Sequence, residues 1–240
     1  MPRFFSLQPL RGQHSLELDE AAARHVRVLR LPPGAEITLF DGQGGEYAAR
    51  ITQMDKKRVS VDVGAHLGRE RESPLDITLI QGVSKGERMD ITLQKAVELG
   101  ASRILPVFSE RSVVRLDEKR LEKRRRHWEG VIVSACEQCG RNRIPQLLTP
   151  TALKEVWSAP PGGLKLALDP EGDVRLRDLR PEADAPIALL AGPEGGLSEA
   201  ELLLAADAGF QGLRLGPRVL RTETAGMACL AALQSLFGDA

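Results

Sequence analysis

The chain predicts an α/β fold: a mostly parallel sheet covered by helices, preceded by a small β-rich domain. Three observations carry this. From about residue 74 on, short apolar runs alternate with amphipathic stretches, the rhythm of βαβ units. Ile187–Ala191 (IALLA) is apolar throughout, as a strand buried on both faces is. Residues 1 to about 70 instead show short alternating runs separated by turn residues. With 240 residues, 42% of them hydrophobic, the chain has material for one or two domains with a sizeable core.

In the N-terminal part, Asp19 is placed to cap a helix running to about Leu29. Val26 and Leu29 are expected to face inward and Arg24, Arg27 and Arg30 outward. Pro32-Pro33 stops the helix. Glu36–Phe40, Glu46–Met54 and Arg58–Val63 read as strands, with Asp41-Gly42 and Asp55–Lys57 as turns. The GQGG at 42–45 is followed by the alternating EYAARI, a strand pattern. It therefore reads as a hairpin turn, not as a dinucleotide loop. Gly68–Pro74 is charged, apolar-free and ended by proline, the composition of a linker.

Beyond it, Ile77–Val83 reads as a strand and Glu87–Leu99 as an amphipathic helix stopped by Gly100. Arg103–Val107 is a strand. Leu116 to about Cys139 is a long helix with Gly130 as a candidate break, and Lys165–Leu168 is a further strand. Two strand–loop–helix junctions end the chain. In the first, IALLA runs into Gly192-Pro193-Glu194-Gly195-Gly196, and Ser198 with Glu201 fits the capping box. In the second, Gly212–Leu215 is the strand and Gly216-Pro217 breaks it. Thr222 or Thr224 then caps a helix to about Phe237. At the carboxyl ends of neighbouring parallel strands the two junctions would form one crevice, where open α/β sheets bind ligands. Ordinary turns explain either junction alone; the TET directly after the second favours a ligand.

The 33 basic and 33 acidic side chains balance, so any pull on nucleic acid must come from local patches. Three cysteines make no disulfide framework and suggest a reducing compartment. MPRFFSLQPLRGQHS lacks the apolar segment of a signal peptide, and no run approaches the ~18 apolar residues of a membrane span. A soluble cytoplasmic protein is expected. No P-loop and no G-x-S-x-G is present. Cys136 and Cys139 form a C-x-x-C without a second ligand pair, so no metal is expected there.

Three polar clusters stand out: Ser84–Asp90, Glu110–Ser112 and Glu137–Arg143. Lys85 and Arg88 are unusual just before a helix, where acids are favoured, and suit a phosphate; a solvated turn is the other reading. The basic run Lys119–His127 reads first as a solvated helix face, with RNA backbone contact as its alternative. Aromatic residues make up only 4%, so a stacking platform for bases is not expected. The small residues of Ala225–Leu233 allow close approach of the sheet, or of another subunit.

Together, GPEGG with S-x-x-E, LGPRVLRTETA, SKGERMD…QKAVELG…ILPV…ERS and EQCGRNRIP resemble the RsmE family. These are bacterial methyltransferases of the SPOUT class that modify N3 of a uridine in small-subunit (16S) ribosomal RNA. The resemblance covers nearly the whole chain, and HVRVLRLPPGAEITLFDGQGGEYAARI is similar to the family's PUA-like RNA-binding domain. It implies a PUA-like β-barrel domain over 1–70 and a SPOUT methyltransferase domain over 74–240. It also implies a C-terminal trefoil knot, S-adenosyl-L-methionine as cofactor, and a homodimer. Carried onto this chain, the cofactor loops comprise Leu190, Gly192, Pro193, Glu194, Gly195, Gly196, Leu215, Gly216, Val219, Leu220 and Thr222. Cys136, Cys139 and Val219 are small departures from the family's pattern.

Methylation at N3 requires an extruded or unpaired base, loss of the N3 proton and in-line alignment. Glu137 and Glu223 are the candidates for base or orienter. Arg141 and Arg221 are the candidates to stabilise charge on the uracil oxygens. Arg3, Arg24, Arg27, Arg30, Lys85 and Arg88 are expected to contact RNA. Two other classes stay open: a nucleotide-using enzyme with a phosphate on GPEGG, and a non-catalytic RNA-binding protein of the same fold. Another SPOUT RNA methyltransferase is the nearest variant.

Overall fold

The computed structural model describes residues 1–56, 58–112 and 117–240. The expected helix start at Leu116 and the turn residue Lys57 lie outside the described residues. The chain forms two units, residues 1–72 with 133–144, and residues 73–132 with 145–240.

The first unit is a five-stranded sheet whose two longest strands alternate inward and outward. Its sheet takes β1 (Arg3–Phe5), β2 (Ser15–Glu17), β3 (Glu36–Phe40), β4 (Glu46–Met54) and β5 (Val59–Leu67) in the order β1-β3-β4-β5-β2. Only β1 and β3 run parallel. Val59, Val61 and Val63 of β5 and Tyr47, Ala49 and Ile51 of β4 point to one core with Phe4, Ile37 and Leu39. The three-residue strands β1 and β2 are too short to show a period of two, so they carry no periodic signal. The loop 41–45 joins antiparallel β3 and β4, as the hairpin reading requires.

The helix α1 (Glu20–Val28) begins where Asp19 Oδ1 accepts from the N–H groups of Ala21 and Ala22, each at 3.0 Å. Ala22, Ala23 and Val26 are buried, but Leu29 is not; it is 45% exposed, against expectation. The helix ends one residue earlier, in a Schellman arrangement. Arg30 turns the chain at φ 54°, Arg30 N donates to Arg27 O, and Leu31 N donates to Val26 O. Leu31 therefore takes the place against the core that the helical period assigned to Leu29.

The second unit holds an all-parallel sheet: β6 (Ile77–Gly82), β7 (Arg103–Phe108), β8 (Gln146–Leu147), β9 (Thr151–Ala152), β10 (Leu164–Leu168), β11 (Ile187–Ala191) and β12 (Gln211–Leu213). The order is β12-β10-β11-β6-β7-β8, with β9 also on β7. The central β6 and β11 are buried along their whole length; β11 reads as an unbroken apolar run, while β6 carries the buried polar residues Thr78 and Gln81. Helices α2 (Glu87–Glu98), α4 (Leu153–Ser158), α5 (Glu199–Asp207) and α6 (Thr222–Phe237) belong to this unit. The intervening α3 (Glu118–Cys139) is continuous through Gly130, so the candidate break is absent; from Val133 on its residues group with the first unit.

Two expectations about the C-terminal junctions are corrected. The strands β11 and β12 are not neighbours, because β10 lies between them. Neither Thr222 nor Thr224 caps α6: Arg221 is the N-cap residue, without a side-chain cap, and Thr222 is the first helical residue. Its hydroxyl is used elsewhere.

Candidate active site

The penultimate residue of strand β6 is a glutamine with no exposed surface. Gln81 Nε2 donates to Gly82 O at 3.1 Å, to Thr222 Oγ1 at 3.2 Å and, more distantly, to Gly192 O at 3.4 Å. Thr222 Oγ1 in turn donates to Gly192 O at 2.5 Å. One buried hydroxyl thus ties the start of the first loop to the start of the second helix. The two junctions meet although a strand separates them in the sheet. Gly82 allows this approach: a Cβ there would collide with Pro193 N and lie 2.8 Å from Gly192 C.

The meeting loops enclose a cavity of about 300 Å³. Gly192, Pro193, Glu194 and Gly196 of the first loop line it, with Leu215, Gly216, Val219, Leu220, Arg221 and Thr222 of the second. Two expected members do not. Leu190 is wholly buried in the core with Ile80, Val107 and Ala188, and the Gly195 carbonyl is turned to Arg111 Nη1 at 3.2 Å. Arg111 also donates to Leu197 O at 3.3 Å and so braces the first loop. Arg111 itself lines the cavity, as do Leu168, Asp169 and Pro170 from the end of β10, and Arg218. Arg111 belongs to the Glu110–Ser112 cluster that the sequence marks; Leu168, Asp169, Pro170 and Arg218 were not singled out. The signal was present: DPEG at 169–172 repeats the PEG of 193–195 at the end of another strand.

The lining suits a molecule with one apolar, one polar and one charged part. Leu168, Leu197, Leu202, Leu213 and Leu215 give apolar walls. Among the described residues, the N–H groups of Leu215, Gly216, Val219 and Leu220 have no hydrogen-bond partner within the protein. Main-chain groups left open beside a cavity are what a heterocycle's edge needs. The walls do not suit a phosphate at the first loop. Ser198 Oγ accepts from Glu201 N, and Glu201 Oε2 accepts from Ser198 N, so carboxylates already crowd the N-terminus of α5. The nucleotide-phosphate reading of GPEGG loses its physical basis here.

Glu194 faces the Ser84–Asp90 cluster. Its Oε1 accepts from Lys85 N at 2.9 Å and from Arg88 Nη1 at 3.2 Å. Burial alone would raise its pKa, but the Lys85 N–H, its own N–H and the Arg88 guanidinium outweigh this and lower it. Arg88, expected to reach RNA, is thus paired to the cavity loop, while the Lys85 side chain is exposed. Arg221 is exposed at the start of α6, and Glu223 is half-buried in its first turn; neither has a side-chain partner among the described residues.

The other catalytic candidates lie in the first unit, and both are committed. Glu137 Oε1 accepts from Phe5 N at 3.0 Å, and Oε2 pairs with His25 Nδ1 at 3.1 Å. Burial raises the Glu137 pKa, with the Phe5 N–H and His25 opposing. Arg141 is buried and clasps Glu72 Oε2 through Nε at 2.9 Å and Nη2 at 2.6 Å. Arg3 is no surface cation either. It pairs with Glu46, donates to Asn142 Oδ1 at 2.6 Å and lies 5.0 Å from the Phe40 ring centroid. Arg24 and Arg30 are exposed, and Arg27 is half-buried. The expected linker is also fastened: Glu72 accepts from the N–H groups of Asn142 and Arg143, and Glu70 from Gly45 N.

Among the described residues no cluster of three metal-ligating side chains occurs. Burial pushes the thiols of Cys136 and Cys229 up to about 12, which leaves them inert. No helix among the described residues is long and apolar enough to cross a membrane.

Comparison with known proteins places this geometry. Residues 71–234 match the model of an RNA methyltransferase domain, and residues 18–64 that of an RNA methyltransferase PUA domain. A ribosomal RNA small subunit methyltransferase E from Buchnera aphidicola (subsp. Schizaphis graminum) is 32% identical, over 100% of this chain and 98% of its own. The solved structure of a ribosomal RNA small subunit methyltransferase E from Neisseria gonorrhoeae, bound to S-adenosyl methionine, is 44% identical with a TM-score of 0.95. The match covers 100% of this chain and 99% of that one. A Legionella pneumophila methyltransferase in complex with the cofactor SAM is 42% identical, also with a TM-score of 0.95, over 99% and 98% of the two chains. By motif, fold and overall likeness, this chain belongs to the ribosomal RNA small subunit methyltransferase E family, with its SPOUT-type α/β fold and PUA-like domain.

Proposed function

We propose that this protein methylates N3 of a uridine in small-subunit (16S) ribosomal RNA, using S-adenosylmethionine held between loops 192–196 and 215–222. The observation that carries the reading is the Thr222–Gly192–Gln81 junction, which closes the two loops around one cavity with open main-chain donors. The cofactor, when bound, supplies an electrophilic methyl group. The chain's own part is to orient, exclude water and manage charge.

The leucines of the cavity exclude water from one side, and the second loop's main chain reads the heterocycle. Arg221 stands at the cavity and at the N-terminus of α6, where a negative charge developing on the uracil oxygens is favoured by both the guanidinium and the helix. Glu223, in the first turn with no side-chain partner among the described residues, is the candidate to accept the N3 proton. Glu137 and Arg141 hold the first unit together through His25, Phe5 and Glu72, and a catalytic role for them requires those bonds to break. Arg24, Arg27, Arg30 and Lys85 remain as RNA contacts. A homodimer is carried by the family likeness alone, since the Gly226 face of α6 packs on Leu79 and Ala191 of its own sheet, and a cytoplasmic location follows from a ribosomal substrate.

The test is transfer of labelled methyl from S-adenosylmethionine to small ribosomal subunits lacking the modification, followed by digestion to nucleosides. Label in N3-methyluridine is the expected result. Label in another nucleoside, or none, overturns the reading.

A further inference from the structure

The arginines around Glu72 are not all accounted for by the first unit's own ion pairs. Arg3 and Arg69 share Glu46, and Arg141 takes Glu72. Arg71 and Arg143 are exposed, and among the described residues neither guanidinium has a hydrogen-bond or ion-pair partner. The main chain at both is tied to Glu72. The Glu72 carboxylate fixes the Arg143 main chain by accepting its N–H at 3.2 Å, and Arg71 is bonded directly to Glu72 in sequence. Each guanidinium lies against a glycine. A Cβ on Gly44 would sit 2.8 Å from Arg143 Nη2, and one on Gly140 would sit 3.0 Å from Arg71 Nη1. Glu70, beside Gly44, gives its carboxylate to Gly45 N at 2.6 Å and makes no ion pair with Arg143.

We infer that Arg71 and Arg143 form a phosphate-binding surface for the RNA backbone, on the first unit and apart from the arginines of α1. Two exposed guanidiniums with no acid partner among the described residues are left to an external anion. Seating against glycine backbone removes part of the entropy that a mobile side chain loses on binding. The planar fork matches two phosphate oxygens. The inference rests on the proposed RNA substrate and names which chain elements grip it.

The test measures binding of unmodified 16S ribosomal RNA across a salt series for the wild type, Arg71→Gln, Arg143→Gln, the double variant and Arg143→Lys. Affinity of the double variant should fall about tenfold or more at low salt. The slope of log affinity against log salt should flatten by roughly 0.7–0.9 for each phosphate that is no longer neutralised. Arg143→Lys should keep the wild-type slope, because it keeps the charge. Thermal unfolding and S-adenosylmethionine affinity should not move. A double variant with wild-type affinity and slope overturns the inference, as does an Arg143→Lys protein that loses as much slope as Arg143→Gln. Methyl transfer by the wild type separates this outcome from failure of the proposed function: if transfer persists while the arginine variants bind normally, only the surface is wrong.

Discussion

The Thr222 hydroxyl donates to the Gly192 carbonyl at 2.5 Å while accepting from Gln81 Nε2 at 3.2 Å. This single group joins three chain segments that are far apart in sequence. Thr222→Val keeps the shape and removes the hydroxyl. Gly192 O is then left with only the long Gln81 interaction, and leaving a partly buried acceptor poorly satisfied costs up to about 1–3 kcal/mol. Much of that cost falls on the loop arrangement, so S-adenosylmethionine affinity should drop about tenfold or more. Thr222→Ser should restore most of it. Calorimetric titration of both variants checks this; a Val variant with wild-type affinity would show that the junction is dispensable.

Gly82 carries the same junction from the strand side. A methyl group there would have to share space with Pro193 N and with Gly192 C, the latter at 2.8 Å. These are main-chain atoms and cannot swing away as a side chain can. Gly82→Ala should therefore displace the first loop and destabilise the protein by about 1–3 kcal/mol, as overpacking does. Cofactor affinity should suffer more than the fold does. Urea denaturation beside cofactor titration separates the two effects.

The positions of the two cavity loops were legible in the sequence because each breaks an apolar run with glycine and proline at a strand end. How the loops meet was not. Gln81 reads as one polar residue at the end of a buried strand, and nothing local says that its amide faces Thr222, 141 positions on. The DPEG motif of Asp169 is visible in the sequence, but its place at the cavity is a tertiary property: only β10 lying between β11 and β12 brings its carboxyl end there. Arg3 looked like a surface cation because its partners, Glu46 and Asn142, are distant in the chain. Leu29 failed for a local reason, since a non-glycine residue, Arg30, adopted the left-handed conformation that ends the helix.

Glu194 gives the first loop a dependence on pH. Its folded-state pKa lies below the ordinary value: burial pushes it up, but the Lys85 N–H, its own N–H and Arg88 more than offset this. A carboxylate so lowered contributes stability above its unfolded pKa and loses it as pH falls through the folded one. Glu194→Gln should accordingly be less stable than wild type at neutral pH, with the difference shrinking toward about pH 3, below the usual carboxylate range. Urea midpoints at the two pH values test the sign. A difference that grows on acidification would contradict the Lys85 and Arg88 assignment.

Arg221, the N-cap residue of α6, and Glu223, in its first turn, have no side-chain partners among the described residues, so removing their side chains breaks no bond that holds the fold. Their value lies in what they present to a bound base. Arg221→Ala should lower kcat by about 10²–10³, the loss expected for one donor to a developing oxyanion, with Tm unchanged to within about 2 °C. Glu223→Gln keeps size and polarity but cannot take the N3 proton. Its kcat should fall by about 10²–10⁴ with cofactor affinity intact, and part of the loss should be recovered at higher pH, where the N3 proton leaves without help. Single-turnover methyl transfer across a pH series reads both. If Glu223→Gln transfers methyl at the wild-type rate at every pH, the proton is taken by solvent or another group, and Glu223 only fills the helix's first turn. If Arg221→Ala is fully active and folded, the charge on the uracil oxygens must be met elsewhere, with Arg218 at the same cavity the next residue to substitute.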